Sequence, residues 1–234
     1  MLARNDLCGL RFLDIGCGSG LFSLAARRMG ARVYSFDYDP QSVACTLELR
    51  SRFYDGDPEW VVEQGSVLDQ AYLRSLGPFD IVYSWGVLHH TGAMWEALEN
   101  AMIPLRAGGA LFISIYNDQG THSRRWRAVK RLYNRTPPSL RFLVVIPVAI
   151  QQWWRRILKD FLRLRPFAAW RAYSADRGMS PWRDVIDWVG GYPFEVAKPE
   201  EIFDFYRKRE CELIKLRTCG GSLGCNEFVF RRAQ

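Results

Sequence analysis

Long apolar runs are missing from this sequence. No stretch approaches the roughly 18 uninterrupted apolar residues that a membrane-spanning helix needs, although 48% of the residues are hydrophobic. The first residues also lack the basic start, apolar stretch and cleavage site that are typical of a secretion signal. With 24% charged residues, the composition is that of an ordinary globular protein, and we expect a cytoplasmic one.

Paired cysteines are missing as well. The chain has six cysteines in 234 residues, and none forms a CxxC pair. A chain of this length does not need disulfides to stabilise its core. Cys219 and Cys225 flank a glycine-rich turn, but no histidine or second cysteine pair lies nearby in sequence to complete a zinc site. We therefore expect reduced thiols and no bound metal.

Positive charge is concentrated in one segment. Between Gln119 and Tyr192 there are 15 Lys/Arg and 4 Asp/Glu, whereas the rest of the chain has 17 and 21. The same segment holds six of the nine tryptophans. This shift in composition predicts a core formed by residues 1–118 and 193–234, with a basic, mainly helical insertion at 119–192.

Strands and helices alternate before the insertion. Apolar runs bounded by turn residues predict five strands: Arg11–Ile15, Arg32–Phe36, Trp60–Gln64, Phe79–Ser84 and Gly109–Tyr116. Such alternation is typical of a parallel sheet. After the insertion, a helix at Pro199–Arg209 precedes strands at Glu212–Thr218 and Asn226–Arg232. Their connecting loop is too short for a parallel crossover, so we expect an antiparallel pair to complete the sheet.

A glycine-rich turn follows the first strand. Gly16, Gly18 and Gly20 lie where strand becomes helix, so backbone N–H groups can approach a ligand beside the positive end of the helix. The spacing is GxGxG rather than GxGxxG, which counts against NAD or FAD. No Gly-Lys-Ser/Thr follows, which excludes the phosphate loop of NTPases. Asp14 is suited to meet the ammonium of an amino-acid moiety, directly or through water.

Two further segments complete the predicted ligand site. Asp37 closes the second strand, where a carboxylate can accept both hydroxyls of a ribose. The alternative is that Asp37 only forms the turn before Pro40. Ser66 and Val67 follow the third strand and are suited to flank the base of the same ligand through a backbone N–H and a small polar side chain.

These segments carry a family resemblance. Residues 14–20, Asp37, 65–69 and 79–90 resemble the successive motifs of class I S-adenosylmethionine-dependent methyltransferases, in particular the small-molecule branch that includes ubiquinone-type O-methyltransferases. The resemblance covers 11–118 and 199–232. It implies an α/β fold with a Rossmann-like, mostly parallel seven-stranded sheet, an antiparallel C-terminal hairpin and a helical insertion after strand five.

The resemblance also implies a cofactor and its contacts. The cofactor is S-adenosyl-L-methionine, and S-adenosyl-L-homocysteine is the product. The implied cofactor-binding residues are Asp14, Gly16, Cys17, Gly18, Gly20, Asp37, Tyr38, Ser66, Val67, Ser84 and Trp85. Members of this family usually cover the cofactor with N-terminal helices, and only about ten residues precede the first strand here. Either the cover is absent or the insertion supplies it.

Methyl transfer from a sulfonium is an in-line displacement that needs alignment, exclusion of water and, for some acceptors, a base. His89 and His90 follow strand four, at the edge of the sheet where ligands of open α/β folds bind. His90 is our first candidate for the base and His89 the second; the alternative is a structural pair. Tyr116 and Asn117, at the end of strand five, are candidates to orient the acceptor. We expect a small-molecule acceptor, with a hydroxyl oxygen favoured.

The insertion leaves three interpretations open. Residues 151–165 predict an amphipathic helix. Trp153 and Trp154 lie on its broad apolar face and are candidate substrate contacts. This helix is a lid over the active site, an interfacial helix on an anionic membrane, or a surface for an anionic acceptor such as RNA. Nucleic acid is disfavoured because the cations are interleaved with bulky apolar residues. A cofactor-binding scaffold without activity is the non-enzymatic alternative.

Overall fold

A computed structural model describes residues 6–177, 180–221 and 223–234. The chain divides into two compact units. The core unit comprises Met1–Gln119 and Glu195–Gln234, and the insertion unit comprises Gly120–Phe194. These boundaries lie within two residues of the change in composition that marks the insertion in the sequence.

Seven strands of the described part of the core unit form one sheet. They are β1 (Arg11–Ile15), β2 (Arg32–Asp37), β3 (Trp60–Gln64), β4 (Phe79–Trp85), β5 (Leu105–Tyr116), β6 (Cys211–Arg217) and β7 (Cys225–Arg232). Their order is β3-β2-β1-β4-β5-β7-β6. The first five are parallel, and β7 runs antiparallel to both β5 and β6. This is the predicted Rossmann-like α/β sheet with its antiparallel C-terminal pair; Ser222 of the connecting loop lies outside the described residues.

The sheet order places the candidate site. From β1 the chain adds β2 and β3 on one side, and later β4 and β5 on the other. The loops that leave β1 and β4 therefore diverge and open a crevice at the carboxyl ends of these strands, where open α/β folds bind ligands.

Helices connect the strands of the core unit. They are α1 (Leu21–Arg28), α2 (Pro40–Tyr54), α3 (Gln70–Ser75), α4 (Met94–Asn100) and, after the insertion, α9 (Pro199–Arg207). Asp39 caps α2, and its side chain accepts a hydrogen bond from the Gln41 amide as expected of an Asp-Pro helix start. The core fills both faces of the sheet, because strands such as β1 are buried along almost their whole length.

Two elements of the core differ from the sequence prediction. The short helix α3 was not predicted, because only one of its residues, Leu73, is buried and a single apolar position gives no periodicity. Strand β5 begins at Leu105 rather than at Gly109, since Phe79 of β4 pairs with Leu105 before an irregularity shifts the register. The glycines at 108 and 109 therefore lie within the strand instead of preceding it.

The insertion unit is helical. Its helices are α5 (Thr121–Arg135), α6 (Phe142–Leu162), α7 (Ala168–Arg177) and α8 (Pro181–Gly190). Helix α6 is longer than the helix predicted from Gln151 to Arg165, because it continues through Pro147. A proline removes one helical hydrogen bond, but the apolar residues on both sides of Pro147 keep the segment helical. No helix within the described ranges has both the length and the apolarity needed to cross a membrane.

Candidate active site

The glycine turn between β1 and α1 is held against β2. Gly16, Gly18 and Gly20 all have positive φ angles, of 77°, 54° and 77°, which glycine adopts without strain. The amides of Gly16 and Cys17 both donate to the carbonyl of Phe36, at 2.9 and 3.1 Å. No atom lies within 4 Å of the position that a Cβ on Gly18 would take. The middle of the turn therefore presents open backbone to a ligand.

Asp37 lies beside this turn at the end of β2. One carboxylate oxygen accepts the Gly18 amide at 2.9 Å, and the other accepts the Asp39 amide at 3.0 Å. The side chain is half-buried, and each oxygen keeps a second lone pair for a ligand. The two backbone bonds fix the carboxylate in position. Asp37 is thus both a turn-forming acid and an oriented acceptor, and the two roles do not exclude each other.

Asp14 is placed differently from the expectation of direct contact with a ligand. Its side chain is buried in β1, and one of its oxygens accepts the Ser23 hydroxyl at 2.5 Å. The Ser23 hydroxyl also pairs with Ser35 at 2.8 Å. Burial, opposed by the Ser23 hydrogen bond, raises the pKa of Asp14 to about 7. The carboxyl joins β1, β2 and α1 beneath the turn rather than lining the crevice.

Cys17 in the turn and Tyr38 after Asp37 differ in exposure. The Cys17 thiol is buried, and burial raises its pKa to about 12. The Thr46 hydroxyl of α2 reaches both the Cys17 sulfur, at 3.3 Å, and the Gly18 carbonyl, at 3.0 Å. Tyr38, by contrast, is exposed directly after Asp37. The Tyr38 ring is therefore accessible for stacking on a ligand. The Cys17 side chain is not, so a contact of Cys17 with a ligand would come from its backbone.

The loop after β3 is joined to β2 by its backbone. The Gly65 amide donates to the Asp37 carbonyl at 3.0 Å. The Ser66 hydroxyl accepts the Leu68 amide at 3.2 Å, and the Val67 side chain is buried in the core. The predicted contact of Val67 with a cofactor is therefore restricted to its backbone.

At the end of β4, two predicted cofactor residues differ in exposure. Ser84 is fully buried and its hydroxyl donates to the Ile15 carbonyl at 3.0 Å, so its side chain does not line the crevice as the sequence suggested. Trp85 is partly exposed and donates its indole N–H to Glu227 of β7 at 3.2 Å. Trp85 keeps an accessible ring face beside the crevice, and Ser84 instead ties β4 to β1.

The two histidines and Tyr116 form one cluster. His89 and His90 lie in a 3-10 turn after β4, closed by the His90 amide donating to the Val87 carbonyl at 2.8 Å. The His89 ring centre is 4.5 Å from that of His90 and 4.0 Å from that of Tyr116, and His90 is 5.5 Å from Tyr116. His89 is fully buried, while His90 and Tyr116 are half-buried. A ligand in the crevice can reach these two rings.

Asn117 has a structural role that the sequence did not indicate. Its side-chain oxygen accepts the Asn226 amide at 3.0 Å, and its backbone amide donates to Gly224 at 2.9 Å. The side chain thereby joins β5 to β7. The Asn117 oxygen is engaged by the neighbouring strand, so any contact of this side chain with an acceptor would come from its NH2 group, and that role stays a prediction.

The two tryptophans assigned to a common face of α6 do not share it. Trp153 is 4% exposed and packs against Trp170 and Tyr173, with ring centres 4.9 and 5.1 Å apart. Trp154 is 48% exposed. A broad apolar face extends around more than one side of a helix, and here one side packs within the insertion unit while the other does not. The proposed substrate contacts of both residues stay predictions.

Three residues support the candidate site although no sequence pattern pointed to that role. Thr46 supports the glycine turn from α2. Glu195 accepts the Met94 amide at 3.0 Å and donates its own amide to the His89 carbonyl at 3.0 Å, so it anchors the histidine turn. Val87 packs so closely on Gly16 that a Cβ there would lie 2.4 Å from a Val87 methyl. Such contacts join residues far apart in the chain, where spacing carries no information.

Among the described residues, no group of three His, Cys, Asp or Glu side chains is placed to hold a metal ion. All six cysteines are free thiols. The groups described at the crevice are backbone amides, one oriented carboxylate and the ring cluster.

Comparison with known proteins defines the class. Residues 13–111 match the family model described as a methyltransferase domain. The sheet order, the glycine turn after β1 and the antiparallel β7 belong to the same fold. The matched segment lies within the core unit and contains its glycine turn and strands β2 to β4.

Within that class, the chain is similar to a ubiquinone biosynthesis O-methyltransferase of Xanthomonas oryzae pv. oryzae. The two are 31% identical over 171 residues, which cover 72% of this chain and 63% of the relative. The chain thus matches somewhat less than two thirds of that relative's length.

Solved structures show the same fold at lower identity. Magnesium protoporphyrin IX methyltransferase from Synechocystis PCC 6803 superposes with a TM-score of 0.57 at 15% identity, over 97% of this chain and 76% of that one. The cyclase SpnF superposes with a TM-score of 0.59 at 12% identity, over 97% and 76%. Since a cyclase shares the fold, the fold alone does not determine the reaction.

Proposed function

We propose that this chain binds S-adenosyl-L-methionine and transfers its methyl group to a hydroxyl oxygen of a small molecule. The proposal rests on one juxtaposition: an open glycine turn with an oriented carboxylate at the ends of β1 and β2, next to a ring cluster at the ends of β4 and β5. These strands are neighbours in the sheet. The methyltransferase domain family and the O-methyltransferase relative support it.

The residues present fit this cofactor. The backbone at Gly18 is open, which suits the close approach of an amino-acid chain to the turn. The Asp37 carboxylate would accept the two ribose hydroxyls, and the Ser66 backbone with the exposed Tyr38 ring would hold the adenine. Asp14 acts through Ser23 to keep α1 in position against β1. It is a positioning residue in this scheme.

The cofactor supplies a methyl group on a positively charged sulfur. His90 would hold the acceptor hydroxyl and take its proton as the hydroxyl oxygen accepts the methyl group. A neutral imidazole can accept one proton, which would then pass to water. Tyr116 borders the same space and orients the acceptor by its phenol group. The buried His89 supports both rings by packing between them.

The sulfonium carries a positive charge, and the crevice has the matching polarity. Asp37 lies beside the turn with its carboxylate held by the Gly18 amide. Its negative charge favours the cationic cofactor over the product, whose sulfur is uncharged, and this difference favours release of the product over its retention.

The experiment is a binding and turnover measurement on the purified chain. Calorimetry with S-adenosyl-L-methionine and S-adenosyl-L-homocysteine measures binding. Transfer of a radiolabelled methyl group to matched phenols, amines and carboxylic acids then identifies the acceptor class. We expect binding of both cofactor forms and labelling of a phenol or alcohol. Binding without transfer to any acceptor would favour a scaffold, and preferential labelling of amines would contradict the assignment to oxygen.

A further inference from the structure

Helix α6 carries two apolar faces, of which the insertion unit covers one. Val145, Val148 and Trp153 are buried. A second row of apolar side chains is between 44% and 78% exposed, and we call it the α6 stripe. The stripe consists of Leu143, Ile146, Ile150, Trp154, Leu158, Phe161 and Leu162. Most surface helices of globular proteins have a single apolar face directed at the core, so this second face requires a partner outside the insertion unit's own packing.

The stripe is continuous along the helix. From Leu143 to Phe161 its members follow one another at intervals of three or four residues, and Leu162 adjoins the last of them. At 100° per residue the members occupy about half of the helix circumference. From Leu143 to Leu162 the row is about 30 Å long. The α6 stripe thus forms one linear contact surface. Single scattered apolar residues, by contrast, are common on protein surfaces.

Helix α6 also carries exposed cations on its second half, namely Arg155, Arg156, Lys159 and Arg163. At 100° per residue Arg155 lies beside the stripe, and the other three lie on the opposite side of the helix. Arg155 lies over the Trp154 ring, 5.4 Å from its centre. Asp160 is the one acid of the helix, and its carboxylate accepts the Ala169 amide at 2.7 Å. The insertion unit as a whole, residues 120–194, contains 15 Lys/Arg and 4 Asp/Glu, so its net charge is strongly positive.

We propose that the α6 stripe is a membrane-contact surface that lies in the interface of a bilayer with anionic headgroups. The apolar row enters the acyl boundary, and Arg155 beside the row meets the phosphates, while the positive charge of the whole unit attracts the anionic surface. The helix lies parallel to the bilayer, because the charged residues of its second half prevent it from crossing. The proposal concerns the insertion unit alone and holds whether or not the core unit transfers methyl groups.

Charge and apolarity together favour an anionic bilayer over a second copy of the chain or an RNA as the partner of the α6 stripe. A second copy of the chain would bring like-charged helices together and add repulsion along the whole stripe. RNA would satisfy the cations, but it would leave the aliphatic members Leu143, Ile146, Ile150 and Leu158 in water, because only aromatic rings stack on bases. An anionic bilayer satisfies both the apolar row and the cations.

The test is flotation of the full chain with vesicles of phosphatidylglycerol and phosphatidylcholine, compared with phosphatidylcholine alone. We expect binding to the anionic vesicles that weakens with added salt. The variant Ile150→Gln with Leu158→Gln should lower the partition coefficient about tenfold or more. The matched control is Leu132→Gln with Leu140→Gln, which removes two apolar side chains that are also exposed in this unit but lie off α6. It should change binding by less than about twofold.

Two further variants separate charge beside the stripe from the overall charge of the unit. Arg155→Gln should weaken vesicle binding about fivefold, more than Arg124→Gln, which removes the same charge from α5. Circular dichroism and thermal melting check that every variant is folded. Absence of vesicle binding, or equal loss in Arg155→Gln and Arg124→Gln, would overturn the proposal. Binding of a homopolymeric RNA that ignores the stripe variant, or a dimer that the stripe variant dissociates, would overturn it as well.

Discussion

The core unit and the insertion unit both expose large apolar side chains, and the charge beside them has opposite sign. In the core, Leu21, Phe22, Tyr38 and Trp85 are exposed around the glycine turn, and the nearest oriented charge is the Asp37 carboxylate. In the insertion, the α6 stripe lies beside Arg155 in a unit of strongly positive net charge. In the two proposals, apolar surface would supply affinity in both places, and the sign of the neighbouring charge would select a cationic ligand in one and an anionic surface in the other.

The units also differ in how they bury an ionisable group. Asp14 of the core is buried beside Ser23, and burial raises its pKa to about 7. Lys130 of the insertion is buried between the rings of Trp188 and Phe194 and donates to the Trp188 carbonyl. Burial lowers the pKa of Lys130 to about 8. One unit therefore tends to keep its acid protonated, and the other tends to lose a proton from its base.

The largest effect is expected from the histidines, which test whether the chemistry belongs to the core unit. His90→Ala should lower kcat by about 10² to 10⁴ and leave cofactor affinity nearly unchanged, because a base acts on the acceptor. Steady-state kinetics and calorimetry measure the two quantities. The control is His122→Ala, which removes the third histidine, in the insertion. Equal losses of kcat in both variants would mean that the histidines of the core unit have no special role in the chemistry.

The next effect sharpens the comparison inside the insertion. Trp153→Ala should lower the free energy of unfolding by about 3 to 5 kcal/mol, because it removes a buried ring from contact with Trp170 and Tyr173. Trp154→Ala should change it by less than about 1 kcal/mol, since the ring is half exposed. Chemical denaturation measures both. Similar values for the two substitutions would mean that both rings are buried.

Cofactor binding comes third. Asp37→Ala should weaken S-adenosyl-L-methionine binding by about 2 to 4 kcal/mol, because two charge-assisted hydrogen bonds to the ribose are lost. Asp39→Ala is the control: it removes a neighbouring carboxylate that caps α2, and should cost about 1 kcal/mol of stability without affecting affinity. Calorimetry on the folded variants decides, and unchanged affinity in Asp37→Ala would place the ribose elsewhere.

The smallest effect concerns pH and the two buried groups. The folded pKa of Asp14 lies above its ordinary value of 3.8, so the folded state holds the extra proton and its stability falls as pH rises from 5 to 7. The folded pKa of Lys130 lies below its ordinary value of 10.5. The unfolded state then holds the extra proton, and stability rises as pH rises from 8 to 10. Each change is about 2 kcal/mol.

Denaturation series on the wild-type chain and on two neutral variants measure these slopes. Asp14→Asn should remove the fall between pH 5 and 7, and Lys130→Met should remove the rise between pH 8 and 10. Each variant is the control for the other, because they lie in different units. A wild-type slope of the same sign in both windows would contradict the assignment.

Sequence reasoning succeeded where the physical signal is local. Strands β1 and β3 begin and end at the predicted residues, because apolar runs between turn-forming residues define both ends. The GxGxG turn predicted the glycine conformations and the open backbone at Gly18, since only glycine adopts those φ angles without strain. The family resemblance was confirmed by the methyltransferase domain match.

It failed where an outcome depends on packing between distant segments. Trp153 and Trp154 could not be distinguished from the sequence, because adjacent positions on a broad apolar face differ only in which neighbouring helix they meet. The bond between the Asn117 side-chain oxygen and Asn226, 109 residues away, was not predicted either. Glu195 was not considered at all, yet it supports the histidine turn from beyond the insertion.

The contact between Gly16 and Val87 fixes the spacing of two turns in the candidate site. A single methyl group at residue 16 would meet the Val87 side chain at 2.4 Å, so the glycine turn and the histidine turn are spaced by direct packing. Displacement of one turn by about 1 Å is enough to misalign an in-line reaction. In the proposed reaction, the size of residue 87 therefore sets the spacing between the turn that would hold the methyl donor and the turn that would hold the acceptor. A substitution at residue 87 would change that spacing by moving the glycine turn.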